Sequence, residues 1–175
     1  MWKGNKENEM AMKDRIILLD LNYTLVSNQE KTRMIRPFEA RLRAEEYRRD
    51  LIEAIKGNRV IIITARPSYQ RMQSLENIQK KTEWQPMESY FNDLSLDPPA
   101  IKESILERFV FPKYGRDGKQ FFAVESNPRT RAMYYRHGIH AEPYDKFIQR
   151  FPEIVMTMTK DPAQLELFPD ETQQQ

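Results

Sequence analysis

Four apolar residues in a row, Ile16–Leu19, run without a polar break up to Asp20, and the same grammar returns twice further along the chain. Residues 60–63 (Val60, Ile61, Ile62, Ile63) lead into Thr64, and Phe121–Val124 leads into Glu125. A strand with one wet face alternates apolar and polar side chains; an uninterrupted run needs cover on both faces, which is the condition of a central strand in a parallel sheet. Weaker runs predict two further strands at residues 87–91 and 139–142. Between them the apolar spacing is helical. Residues 37–55 place Leu42, Leu51, Ile52 and Ile55 on a helix opened by Pro37 and closed by Gly57, and further helices are expected over residues 68–81, 100–106, 130–137 (closed by Gly138) and 144–151. Strands alternating with helices predict a three-layer, Rossmann-like α/β fold with a parallel central sheet.

In open sheets of this kind ligands bind just beyond the carboxyl ends of the strands. That rule singles out Asp20 and Asn22 after the first strand, Thr64 and Arg66 after the second, and Glu125 and Ser126 after the fourth. Each has a plainer alternative: Asp20 as a turn or cap acid, Thr64 as a helix N-cap, Arg66 as a surface charge. The arginines Arg36, Arg41, Arg43, Arg48 and Arg49 are interspersed with Glu39, Glu45 and Glu46 and are read as a solvated helix face. His137 and His140 flank a helix-ending glycine, a poor arrangement for a shared metal, and are read as structural.

The segment Asp20-Leu21-Asn22-Tyr23-Thr24 behind its apolar strand resembles the first motif of the haloacid dehalogenase superfamily, Asp-x-Asp-x-Thr, with Asn22 in place of the second acid. The order of the later segments extends the resemblance from about residue 15 to residue 144. It is most similar to the 3'-phosphatase domain of phage polynucleotide kinase-phosphatases, where Arg66 matches the end of a Ser-Gly-Arg motif and Arg136-His137-Gly138-Ile139 matches the end of the last helix. The resemblance implies a fold with little or no cap and Asp20 as the nucleophile of a Mg²⁺-dependent phosphatase. It implies that Asn22 supplies a backbone carbonyl to the metal, that Thr64, Arg66 and Lys102 meet the substrate phosphate, and that Glu125 and Ser126 complete the metal site. An amide at position 22 cannot carry a proton, and a hydroxyl at position 126 is a weaker ligand than a carboxylate. Both departures imply weak or impaired turnover, on nucleotide or DNA-end phosphates. The alternative is a fold of this type without catalysis, serving as an interaction module.

Composition narrows the partners. The chain has 175 residues, 39% hydrophobic, the size of one domain. With 28 basic and 26 acidic residues the net charge is +2, so nucleic acid has no bulk electrostatic claim on it. There are no cysteines, no apolar run able to span a bilayer and no signal-peptide core, and a cytoplasmic protein of a bacterial or phage-infected cell is expected. Residues 1–14 read as a polar extension, 15–159 as the domain and 160–175 as a flexible tail. Within that tail Gln164, Leu165, Glu166, Leu167 and Phe168 resemble the Gln-Leu-x-Leu-Phe peptide that docks on the bacterial DNA sliding clamp. Leu167 and Phe168 would be the apolar anchors and Gln164 would set the register; the alternative is that these residues fold back on the domain.

Overall fold

The computed structural model describes residue 12 and residues 14–158. Its strands are β1 (Ile16–Leu19), β2 (Arg59–Pro67), β3 (Glu88–Asn92), β4 (Phe121–Val124) and β5 (His140–Glu142). They form one sheet in the order β3-β2-β1-β4-β5, every pair parallel, with β1 at the centre. Leu19 lies beside Ile62 of β2 and Val124 of β4, so the runs of β1 and β4 end level and that of β2, at Ile63, one residue further on. Their carboxyl ends therefore open onto one shared edge.

Helices α1 (Gln29–Thr32), α2 (Phe38–Ala44) and α3 (Arg49–Ile55) connect β1 to β2, and α4 (Arg71–Thr82) precedes β3. Next come α5 (Pro98–Ile105) and α6 (Phe111–Tyr114), then α7 (Pro128–Arg136) ahead of β5, with α8 (Tyr144–Ile148) and α9 (Pro152–Met158) after it. The alternation of a strand sends its side chains to two faces, and both are covered. Ile17, Leu19 and Ile62 meet Leu51, Ile52, Ile55, Ile78 and Phe147 on one side. Ile16, Leu18, Ile61 and Ile63 meet Ile101, Ile105, Met133 and Tyr134 on the other. The expected three layers are present, and no separate lid domain stands between β1 and β2.

Three details differ from the sequence pattern. The helix expected over residues 37–55 is two helices, because residues 45–48 are extended: Tyr47 bridges Val26, the Ser27 N–H donates to the Glu46 carbonyl and the Arg48 N–H to that of Leu25. This break delivers the Glu45 side chain to the interior instead of to water. Second, the domain begins before residue 15: Met12 is buried in the core, and its carbonyl accepts from the Arg15 N–H and from Asn58 Nδ2. Third, β2 runs on through Thr64 and Arg66 to Pro67, with an irregularity in its pairing to β3 after Ile63. The histidines have structural partners, His137 Nε2 lying 2.8 Å from Glu103 and His140 Nε2 2.8 Å from Glu142. Gly138 has φ +71 where α7 ends, and a side-chain carbon on Gly118 would come within 2.4 Å of the Gly138 backbone, so the chain crosses itself there on two glycines. The peptide at residues 164–168 lies outside the described residues. Among the described residues, no helix is long and apolar enough to cross a membrane.

Ile62 is wholly buried between β1 and β3. Ile62→Asp puts a carboxylate there with no counter-charge, a cost above about 4 kcal/mol and enough to unfold a domain of this size. Circular dichroism and thermal melting should find the variant unfolded or insoluble; a soluble variant with a cooperative melt would show that β2 is not central.

Candidate active site

Asp20 continues β1 by one more sheet hydrogen bond, its N–H donating to the Val124 carbonyl at 3.0 Å. The chain then leaves the sheet in one irregular helical turn, Leu21–Leu25, in which Asn22 is extended and Tyr23 is left-handed at φ 64. Left-handed backbone is costly for a side chain as large as tyrosine and persists where its surroundings demand it. Here the turn brings Thr24 back over the strand end, so that its hydroxyl donates to Asp20 Oδ2 at 2.8 Å. Ser126 Oγ donates to the same oxygen at 3.1 Å and lies 3.4 Å from the Asn22 carbonyl. The serine is held from behind, because Arg131 donates to the Glu125 and Ser126 carbonyls at 2.9 and 2.7 Å.

The other oxygen of Asp20 belongs to Lys102. This lysine lies on α5, on the turn whose neighbours Ile101 and Ile105 are buried against the sheet, and it is only 2% exposed. Its Nζ donates to Asp20 Oδ1 at 2.6 Å and to Glu125 Oε2 at 2.5 Å. Burial works against the ammonium, but Asp20 and Glu125 outweigh it and raise the Lys102 pKa, keeping the group charged. Burial pushes the Glu125 carboxyl up, the Asp20 charge adds to this, and Lys102 and the Asn127 N–H offset it only in part, so Glu125 titrates at about 7.

A second buried ion pair lies beside the first. Arg66, 2% exposed, was expected to meet a substrate phosphate; its guanidinium is instead committed within the protein. Nη2 donates to Glu45 Oε1 and to Asn22 Oδ1, both at 2.8 Å, while Nη1 donates to Ser74 at 3.0 Å and reaches the second Glu45 oxygen at 3.4 Å. Glu45 also accepts from Arg41 Nε at 3.0 Å and from the Tyr47 hydroxyl at 3.2 Å. Burial lowers the Arg66 pKa and Glu45 opposes that shift. The solvated-face reading therefore fails for Glu45, which is fully buried, and for Arg41, which is nearly so. Nothing in its own segment sets Glu45 apart from Glu39 and Glu46; its partner is 21 residues away.

Thr64 is fully buried, and its hydroxyl oxygen accepts the Arg66 N–H at 3.1 Å, which leaves the hydroxyl proton available to an incoming oxygen. Asp20, Asn22, Thr64, Lys102, Glu125 and Ser126 thus gather at one strand edge, with Arg66 joined to them through Asn22. Three oxygens suited to a hard cation converge: Asp20 Oδ2, the Asn22 carbonyl and Ser126 Oγ. Glu125 does not join them, because Oε2 is taken by Lys102 and Oε1 by the Asn127 N–H. Among the described residues no three acidic or histidine side chains form a ready-made cation cluster. A set with one carboxylate still fits Mg²⁺, which keeps several waters and takes further oxygens from a bound phosphate.

No protein-family model matches the sequence, and no curated protein matches it. Among solved structures, a chain of the Pnkp1/Rnl/Hen1 RNA repair complex aligns with a TM-score of 0.57 at 15% identity, over 74% of this chain and 42% of that one. The chain thus matches less than half of that neighbour, and at this identity the likeness establishes the fold and nothing finer. Phosphoserine phosphatase in apo form (14% identity, 71% of this chain and 82% of that one) and a hypothetical protein from Xanthomonas campestris (15%, 81% and 69%) align with TM-scores of 0.44, too low to argue from.

The raised pKa of Glu125 gives stability a pH dependence of known sign. Between the ordinary carboxylate value of 4.5 and about 7 the folded protein holds a proton that the unfolded chain has released, so this stabilising contribution is complete below 4.5 and is lost as pH rises through about 7. Denaturant unfolding of wild type and Glu125→Gln at pH 5 and pH 8 should show the wild type losing stability relative to the variant at the higher pH. Parallel profiles would mean that Glu125 does not titrate in this window.

Proposed function

We propose that the chain is a phosphoryl-transfer enzyme of phosphatase type, with Asp20 as nucleophile, acting on phosphates of nucleotides or nucleic-acid ends. The observation that carries the reading is the setting of Asp20: a carboxylate at the carboxyl end of the central parallel strand, aimed by two hydroxyl donors and a buried ammonium. The Asp20 carboxylate attacks the phosphorus, and the leaving oxygen departs on the opposite side. Lys102 offsets the charge gathered at the nucleophile, and the Thr64 hydroxyl donates to a phosphoryl oxygen as negative charge shifts onto it. When bound, Mg²⁺ screens the phosphate charge, held by Asp20, the Asn22 carbonyl and Ser126. Arg66 acts indirectly, fixing the Asn22 side chain. The nucleotide and nucleic-acid preference draws support from the fold shared with a chain of an RNA repair complex.

A second reading is a clamp-bound module without turnover. It is favoured by the one-carboxylate cation set and by Asn22, an amide where an acid would be needed to move a proton. Phosphate release in Mg²⁺ from 3'-phosphorylated DNA, nucleotides and an aryl phosphate separates the two. Release from at least one substrate, abolished in Asp20→Asn, is the expected result; release that survives the substitution removes Asp20 from the mechanism, and no release leaves the module reading.

The tail supports a separate proposal, that Gln164, Leu165, Leu167 and Phe168 tether the protein to the bacterial sliding clamp in the cytoplasm. Two apolar anchors worth about 1.5–3 kcal/mol each, less the cost of ordering the peptide, give micromolar affinity. Calorimetry with purified clamp should show binding that Leu167→Ala with Phe168→Ala weakens strongly and Asp20→Asn leaves unchanged. No heat with the wild type ends the proposal.

A further inference from the structure

Among the described residues, the side chains that hydrogen-bond the Asp20 carboxylate are all donors. Thr24, Ser126 and Lys102 all donate to its carboxylate. Two other buried carboxyls belong to the neighbouring charge clusters, and each is committed to a cation: Glu125, beside Asp20, gives its oxygens to Lys102 and the Asn127 N–H, and Glu45, on the other face of the sheet, gives its own to Arg66, Arg41 and the Tyr47 hydroxyl. Thr64, whose hydroxyl oxygen accepts the Arg66 N–H, offers the site a donor, and Asn22 is the other polar side chain there. A guanidinium only donates, so the atom 2.8 Å from Arg66 Nη2 is the amide oxygen, and the Asn22 NH₂ is turned the other way as a donor. It can hydrogen-bond a phosphoryl or leaving-group oxygen but can neither give up nor accept a proton.

We propose that phosphorylated Asp20 is long-lived, and that the site therefore takes phosphoryl groups from donors whose leaving groups depart as stable anions. Phosphoanhydrides such as nucleoside triphosphates and aryl or acyl phosphates meet that condition; alkyl esters such as a nucleic-acid 3'-phosphate do not. The inference rests on the phosphoryl-transfer reading above and narrows its substrates to nucleotide phosphoanhydrides, setting nucleic-acid 3'-ends aside. In the first step a carboxylate oxygen of Asp20 forms a bond to phosphorus while the bond from phosphorus to the leaving oxygen breaks, its electron pair going with the leaving group. A nucleoside diphosphate or phenolate is stable in that form, whereas an alkoxide needs a proton, and Glu125, the carboxyl beside Asp20, has its two oxygens engaged by Lys102 and the Asn127 N–H and does not present one to the leaving oxygen. In the second step a water oxygen bonds to phosphorus, the bond from Asp20 breaks with its pair returning to the carboxylate, and the water proton passes to bulk solvent. General acid–base assistance is typically worth about 10²–10⁴ in rate, so its absence slows this second step by that order.

The test is a rapid-mixing experiment on the full chain in Mg²⁺ with 2,4-dinitrophenyl phosphate. The expected trace is a burst of one dinitrophenolate per protein followed by a slow phase, with a phosphoryl adduct on Asp20 that survives acid quench and is discharged by neutral hydroxylamine. ATP should give the same adduct with release of ADP, and a 3'-phosphorylated oligonucleotide should give none over the same interval. Asn22→Asp should remove the burst and raise steady turnover by up to about 10²–10⁴. If that variant does not fold, discharge of the wild-type adduct by hydroxylamine reads the same intermediate. Steady turnover that depends on Asp20 but shows no burst and no adduct overturns this proposal and leaves the phosphatase reading intact. Equal rates with the oligonucleotide and the aryl phosphate also overturn it. Absence of phenolate and adduct with every donor overturns both.

Discussion

The Lys102 ammonium is the charge that lets this strand edge exist. β1 and β4 are neighbours in register, Leu19 beside Val124, so Asp20 and Glu125 leave the sheet side by side, and both are nearly inaccessible to water. Two carboxylates in such a place repel each other and lose their hydration, and neither loss is made good by the hydroxyls around Asp20. Lys102 answers both at once with short hydrogen bonds. Its position depends in turn on the packing of α5, since Ile101 and Ile105 fix which way the intervening side chain is aimed. Removing one partner from a buried charge cluster typically costs about 3–5 kcal/mol, so fold and site share this contact. Burial raises the Glu125 pKa, and the excess negative charge left by one cation against two acids raises it further.

Arg66 and Glu45 repeat the arrangement on the opposite face of the sheet. Lys102 belongs to the layer containing Ile101 and Met133, whereas Arg66 reaches Ser74 of α4, in the layer containing Leu51 and Ile78. The pair ties the extended residues after α2 to the end of β2, and Lys81 secures the same connection by donating to the carbonyls of Leu42, Arg43 and Glu45. The segment between β1 and β2 is thereby fastened over the strand ends without a domain of its own.

How far the sequence discloses this follows from what hydrophobic periodicity can encode. The strands, the centrality of β1 and the placing of Asp20 and Thr64 at strand ends were legible, because uninterrupted apolar runs and the residues that end them are local features; Lys102, on a helix, and Ser126 were given their roles only through the order of motifs in the family resemblance. The break at residues 45–48 was not. It is made by hydrogen bonds to residues 25–27 and by a carboxylate whose partner is Arg66, and neither leaves a local trace in a stretch as rich in charge as its solvated neighbours. Met12 was hidden in the same way, one apolar residue in a polar segment that finds the core only when the sheet is assembled. The orientation of Glu125, toward Lys102 and away from the converging oxygens, is likewise decided by a residue on another element.

Asn22 is where the two charge clusters meet. Its side-chain oxygen belongs to Arg66 on one face, and its backbone carbonyl faces Ser126, and through it Asp20, on the other. Such a residue must be rigid, and the left-handed Tyr23 that follows it shows the backbone fixed in a conformation a tyrosine does not choose for itself. An aspartate at this position would give Arg66 a second carboxylate beside Glu45, in a pocket where Arg41 already brings a second cation to Glu45. The neutral amide leaves Glu45 as the single carboxylate between the two guanidiniums and still fixes the direction of its NH₂. The residue that fills the last hydrogen bond of Arg66 in the second cluster is thus one that cannot carry a proton for the first, and the chemistry open to Asp20 is coupled to how Arg66 is held.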